Sequence, residues 1–345
     1  MRLKLNNFLF SVLAATFGTV ATMSQAITIG PDFVADYTAT DLGSIAGVPG
    51  SYGGLVFKLG DPNTLLLGGA ANTASGRLYE VTVIRDGSSN VTGFAPNPPT
   101  LGSVGEYNDG GVAYGPGGVL FTAQYPQNNL GQTRLGSTDE DRVDDLGALG
   151  VGGRSIAAIN FVPEGFAGAG QAKISSWSSG NWYDLSLASD GTGTFDPVSA
   201  TQVDLDPLTA AIDSLPGGPE GFVYIKAGNP GFSVDSLLVS DYTANRISAY
   251  ELDGNGNPLV TTRRDFLTGL NNAEGAAIDP LTGDFFFSTF GGGNRVVKVS
   301  GFNTPTLPPD PGPGPNPVPL PASMWLLAGG MAGLVAMRRR REKNR

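Results

Sequence analysis

Phe33-Val34-Ala35-Asp36-Tyr37-Thr38-Ala39-Thr40-Asp41-Leu42 reads as an outer β-strand that precedes every blade it could belong to. It matters because the last repeat of this chain stops one strand short. Between Ile27 and Asn303, short β-branched and aromatic runs alternate with Gly, Asn and Asp turns, and no long segment has a 3.6-residue period; this is an all-β pattern. Five segments align as innermost strands. They are Gly53-Gly54-Leu55-Val56-Phe57, Gly110-Gly111-Val112-Ala113-Tyr114, Arg154-Ser155-Ile156-Ala157-Ala158, Glu220-Gly221-Phe222-Val223-Tyr224 and Glu274-Gly275-Ala276-Ala277-Ile278. Their starts lie 57, 44, 66 and 54 residues apart, which is propeller-blade spacing once loops are allowed.

Second strands follow at Thr64–Gly68, Val119–Ala123, Lys173–Trp177, Ser236–Asp241 and Asp284–Thr289. Third strands are expected at Arg77–Ile84, Trp182–Ala188, Arg246–Leu252 and Arg295–Val299, with that of the second unit least defined. Asp86-Gly87-Ser88-Ser89-Asn90 and Asp253-Gly254-Asn255-Gly256-Asn257 read as hairpin turns into fourth strands. Those strands are expected at Phe94–Val104, Arg142–Leu149, Thr201–Leu205 and Arg263–Thr268. The fifth unit has none, and Phe33–Leu42 supplies it. The expected fold is a five-bladed β-propeller closed by an N-terminal strand, which leaves no exposed edge. A six-bladed ring, with one blade divided within the 66-residue spacing, is the alternative. A β-sandwich predicts no such register.

Cysteine and histidine are both absent. Disulfides, thiol chemistry, the commonest general base, the commonest zinc ligand and any Ser-His-Asp triad are therefore excluded. Serine–lysine or paired-carboxylate catalysis stays formally open. Of 21 basic residues, eight lie in the two terminal signals described next, and one of 31 acidic residues does. The body thus carries 13 basic and 30 acidic residues, a net −17, which disfavours nucleic acid and anionic lipid as partners and suits cations.

Arg2 and Lys4 precede an apolar stretch from Phe8 to Val20, and Ser24-Gln25-Ala26 offers small residues for cleavage after Ala26. Residues 1–26 read as a signal peptide, 27–303 as the propeller body and 304–317 as a Pro/Gly-rich tether. Residues 318–345 begin with Val318-Pro319-Leu320-Pro321-Ala322. From Leu320 to Met337 the chain runs 18 largely apolar residues, near the lower end of the ~17–25 that cross a bilayer as a helix. Arg338, Arg339, Arg340 and Arg341 form a basic stop that is expected to hold the C-terminus in the cytoplasm.

This tripartite tail resembles the PEP-CTERM class of sorting signals in its VPLPA-CTERM variant, over the last 28 residues. The resemblance implies export, transient inner-membrane anchoring, processing by an exosortase, and delivery to the cell surface or extracellular matrix. It also implies work beside exopolysaccharide or other surface proteins, as in a biofilm. A constitutive single-span anchor without processing is the alternative.

In a propeller the innermost strands surround the axis and their first residues ring one mouth. Gly53, Gly110, Arg154, Glu220 and Glu274 align there, with Asp109 one residue earlier. Asp109, Glu220 and Glu274 form the candidate metal site. Ca²⁺, which takes ~6–8 oxygen ligands, is the ion they suit, with Arg154 as a competing source of positive charge. The Glu220-Gly221 and Glu274-Gly275 doublets resemble one used by gluconolactonase-like propellers for a divalent cation, although that family's further polar ligands have no counterpart placed here. The competing structural reading makes these glutamates hydrogen-bond acceptors in tight turns at the strand starts. Asp253–Asn257 resembles the start of a calcium loop but lacks a glutamate at the twelfth position, so it reads as a turn. Trp177, Trp182 and Tyr183 could stack on a sugar ring, or pack between blades.

Two functional classes follow. One is a non-catalytic surface or matrix protein whose propeller binds a polysaccharide, a cation or a protein, and composition favours it. The other is a divalent-cation-dependent hydrolase or lactonase built on the carboxylates.

Overall fold

The computed structural model describes residues 26–152 and 156–303, so Ala26 is its first residue. The rest of the expected signal peptide, the tether, the Val318–Ala322 motif and the arginine stop lie outside the described residues, as does Arg154. Among the described residues, no helix is long and apolar enough to cross a membrane.

Two short strands come first, β1 (Thr28–Ile29) and β2 (Thr38–Asp41). Blade 1 is β3 (Leu55–Lys58), β4 (Asp61–Gly69), β5 (Arg77–Arg85) and β6 (Val91–Phe94); blade 2 is β7 (Asn108–Tyr114), β8 (Leu120–Gln124), β9 (Asn129–Thr133) and β10 (Arg142–Asp145). Blade 3 is β11 (Ile156–Phe161), β12 (Ala172–Ser176), β13 (Trp182–Ser189) and β14 (Phe195–Val203); blade 4 is β15 (Pro219–Ile225), β16 (Ser236–Asp241), β17 (Arg246–Glu251) and β18 (Arg264–Thr268). β19 (Ala273–Ile278), β20 (Phe285–Thr289) and β21 (Val296–Ser300) make up blade 5. Every pairing within a blade is antiparallel between sequence neighbours, and β2 completes blade 5 against β21, from Thr38 opposite Ser300 to Asp41 opposite Val297. The fold is a five-bladed propeller closed by its N-terminal strand, as expected.

The closing stretch does more than pair. Only Thr38–Asp41 is extended; Phe33 and Tyr37 lie in a turn and are buried among Phe232, Phe266 and Phe302, with Phe33 stacked on Phe232 at 5.1 Å. Tyr37 Oη donates to Pro230 O at 2.7 Å, which satisfies the phenol where the ring is packed. β1 also adds a fifth strand to blade 4, opposite Thr268 and Leu267, which the sequence pattern did not announce. One N-terminal segment therefore fastens two blades.

Several strand limits differ from expectation, among them the fourth strand of blade 2, which ends at Asp145 because that side chain accepts from the Gly147 amide and caps a 3-10 turn over Leu146–Leu149. The fourth strand of blade 1 is Val91–Phe94, because Ala95-Pro96-Asn97-Pro98-Pro99 lacks three amide donors. Beyond it, only an isolated bridge, Thr100 opposite Tyr79, continues the pairing. β14 starts at Phe195, six residues before the expected Thr201, because Pro197 is accommodated at a bulge. β9 was hard to see because its sequence, Asn-Leu-Gly-Gln-Thr, is mostly polar. Gln132 in β9 is buried and bonds the backbone of Phe195 in both directions, at 2.7 and 2.9 Å. The two Asp hairpin turns form as read: Asp86 Oδ1 accepts from Ser88 and Asn90 amides, and Asp253 Oδ1 from those of Asn255 and Asn257.

At the axis the inner strands approach backbone to backbone. A Cβ on Gly54 would stand 2.8 Å from Gly110 O, one on Gly221 2.6 Å from Ala276 N, and one on Gly275 2.8 Å from Gly54 Cα. Glycine is required at these close approaches. The axis is therefore packed with backbone at this level, which makes a floor at the strand-start end.

Candidate metal centre

That floor carries the predicted carboxylates. Asp109, Glu220 and Glu274 are 1%, 3% and 0% exposed, and one carboxylate oxygen from each lies within 4.8 Å of the others. The ladders explain how they meet. Inner-to-second-strand register shifts between Asn108 and Val112, between Pro219 and Phe222, and between Ala273 and Ala276. Each carboxylate sits inside one of these irregularities, where a residue is freed from the ladder and re-aimed. Gly110 is part of the same device, since a Cβ there would stand 2.7 Å from Glu220 Oε2.

These acids lack the partners that buried acids normally have. Asp109 Oδ2, Glu220 Oε2 and both carboxylate oxygens of Glu274 have no hydrogen-bond partner. In the amide orientation that satisfies both neighbours, Asn72 donates to Asp109 Oδ1 at 3.0 Å and to Asn108 O at 3.1 Å. Glu220 accepts from the Gly110 amide, as the competing reading expects of a strand-start acceptor, whereas neither oxygen of Glu274 has a donor. Burial pushes the Asp109 carboxyl up to about 7, against the pull of the adjoining Glu274 carboxyl and of hydrogen bonds from Asn72 and the Gly110 amide. Burial also raises Glu220 and Glu274 well above the usual carboxylate range; the Asp109 charge adds to it for Glu220, and the Glu220 and Asp109 charges for Glu274. Three such groups cannot all ionise in so small a dry volume without positive charge among them. Oxygens this close can share one hard cation at ~2.3–2.6 Å each.

Above the floor stands a second ring that the sequence reading missed. The residue after each second strand is Ala70, Tyr125, Trp177, Tyr242 and Phe290 in blades 1 to 5, and all five are half-buried. The last four touch in series, edge to face, with centroids 5.8 Å apart for Tyr125–Trp177, 6.1 Å for Trp177–Tyr242 and 5.8 Å for Tyr242–Phe290. They stand at the carboxylate end of the axis, since Tyr125, Tyr242 and Phe290 amides bond Tyr107 O, Gly218 O and Asn272 O beside the inner-strand starts. An aromatic at one offset in four units was the available signal. Trp182 and Tyr183, by contrast, are buried between blades, so the three-residue stacking platform does not assemble.

Blade 1 breaks both rings, with Gly53 at the floor and Ala70 at the rim. A separate cavity of about 300 Å³ lies beside the closing strand, lined by Ile27, Asp41, Leu270, Asn271 and Arg295 among others. Arg295 and Asp41 pair with each other in its wall.

Comparison with solved structures gives likeness of fold only. An auxiliary nutrient binding protein from Bacteroides ovatus is 13% identical, covering 77% of this chain and 76% of that one, with a TM-score of 0.41. A streptogramin B lyase is 11% identical over 78% and 99%, with a TM-score of 0.38. Glutaminyl cyclase from Myxococcus xanthus is 13% identical over 78% and 98%, with a TM-score of 0.43. Binding proteins and enzymes both occur among them, so they assign no activity. No curated protein matches the chain. Residues 317–341 do match the model of the PEP-CTERM protein-sorting motif, so this chain carries the signal that directs an exported protein to an exosortase.

Proposed function

We propose that this is an exported, non-catalytic binding propeller that holds a divalent cation, preferably Ca²⁺, on Asp109, Glu220 and Glu274. The supporting observation is the set of four partnerless oxygens on three buried acids within 4.8 Å. Leaving such acids charged and unpaired costs several kcal/mol each, and a resident cation removes that cost. Signal cleavage after Ala26 starts the route. Recognition of Val318–Ala322 by exosortase follows, while Arg338–Arg341 hold the tail in the cytoplasm. The propeller then stands at the cell surface or in the matrix, where exopolysaccharide or surface proteins are its partners.

Calcium should raise the melting temperature of the EDTA-stripped protein, and Glu220→Gln with Glu274→Gln should abolish the rise. Binding to the folded state alone contributes about 2.7 kcal/mol at a hundredfold excess over Kd. An unshifted wild type, or an equal shift in the double variant, overturns the reading. One observation favours the alternative, a cation-dependent hydrolase or lactonase: an Asp109 carboxyl near 7 suits a general base. Calcium-dependent turnover of a lactone or ester, lost in Asp109→Asn, would establish that chemistry instead.

A further inference from the structure

We propose that the aromatic collar above the carboxylate floor seats a neutral pyranose, which stacks an apolar face on Trp177 and Tyr242 and gives two vicinal hydroxyls to the bound cation. This rests on the cation reading and names the ligand of the same site.

Coordination is the first reason. The floor offers four uncommitted oxygens, whereas Ca²⁺ takes about six to eight. Two or more positions therefore remain for other oxygens, and a vicinal diol fills two at once. Charge is the second. Three carboxylates around one divalent ion leave the centre net negative, which disfavours a carboxylate or phosphate ligand and admits a neutral polyol. The collar is the third: aromatic rings at a half-exposed mouth match the C–H face of a sugar while leaving its hydroxyls free.

The test is calorimetric titration of the calcium-loaded protein with methyl α-mannopyranoside, α-galactopyranoside and α-glucopyranoside, repeated in EDTA and with methyl glucuronide. The proposal expects saturable binding of at least one neutral pyranoside, lost in EDTA and at least tenfold weaker in Trp177→Ala and in Tyr242→Ala. Both variants should keep the calcium-dependent melting shift, which shows that they are folded and loaded. Tryptophan emission should shift on binding, because Trp177 is half-exposed whereas Trp182 is wholly buried. A calcium shift with no pyranoside binding overturns this inference and leaves the cation reading standing. Binding that persists in EDTA, that survives Trp177→Ala unchanged, or that is tighter for the glucuronide also overturns it. A missing calcium shift overturns both.

Discussion

Glu274 lies at the start of β19 and Asp279 just past its end, and both side chains are buried in blade 5. Asp279 is fully engaged. Arg85 of blade 1 donates to both its oxygens, at 2.6 and 3.1 Å, and the Leu281 amide and Thr282 hydroxyl add bonds of 3.0 and 3.1 Å. The same arginine also bonds Asn63 Oδ1, Pro62 O and Ser89 O, so all of its donors are used. Glu274 has none of this. A bidentate arginine with further donors makes a buried acid into a fastening, here across the seam between the first and last blades. An acid buried equally deeply beside two others, with no donor, destabilises the folded chain until something positive arrives. The contrast separates the part of the molecule that holds the ring shut from the part that is available to a ligand.

Breaking the fastening should have the largest effect. Arg85→Met strands Asp279 without its counter-charge and should cost about 3–5 kcal/mol in urea unfolding of the metal-free protein. A loss under about 1 kcal/mol would show that the pair behaves as an exposed one does.

At the axis the sign should reverse. Glu274→Gln removes a carboxyl whose ionisation burial opposes and supplies an amide that can donate to Asp109, so the metal-free variant should gain roughly 1–3 kcal/mol at neutral pH. Loss of stability in EDTA would mean that Glu274 has a structural partner and belongs with Asp279.

The smallest effect is in pH dependence. Asp109, Glu220 and Glu274 have folded-state pKa values raised above the unfolded ~4, so the folded chain binds more protons between that value and the raised ones. Their contribution is fully present below about pH 4 and is lost as pH rises through about 7 and beyond. In EDTA the wild type should be less stable at about pH 8 than at about pH 5.5, by a margin that shrinks in Glu220→Gln/Glu274→Gln. Acids held low on the surface, such as Asp86 and Asp141, act in the opposite sense, so the difference between wild type and variant is the quantity to read. A margin that the substitutions leave unchanged would place the titration elsewhere.

Much of this was legible before any coordinates. Blade number followed from the repeat, because each blade must bury two faces and so repeats its apolar pattern at strand spacing. Asp109 was picked out although it precedes the aligned position by one residue, and the bulge from Asn108 to Val112 explains how it still reaches the centre. β9 and β1 were not legible. β9 is held by side-chain bonds of Gln132 instead of by apolar alternation, and β1 is two residues long. The collar was overlooked because each aromatic taken singly looks like ordinary packing, and only the common offset after the second strand distinguishes the four.

The sequence by itself determined the class of fold, the closing of the ring by an N-terminal strand, the exclusion of thiol and histidine chemistry, and the sorting signal at residues 317–341. These depend on local pattern and composition, which the linear order of residues records directly. Tertiary structure alone decided that three acids from three blades meet in one buried cluster with four oxygens unpartnered, that glycines close the axis beneath them, and that four aromatics stand around the rim. Those facts depend on where a bulge aims a side chain and on how closely neighbouring blades approach. Alternation along a strand records which face a residue occupies, not what lies opposite it.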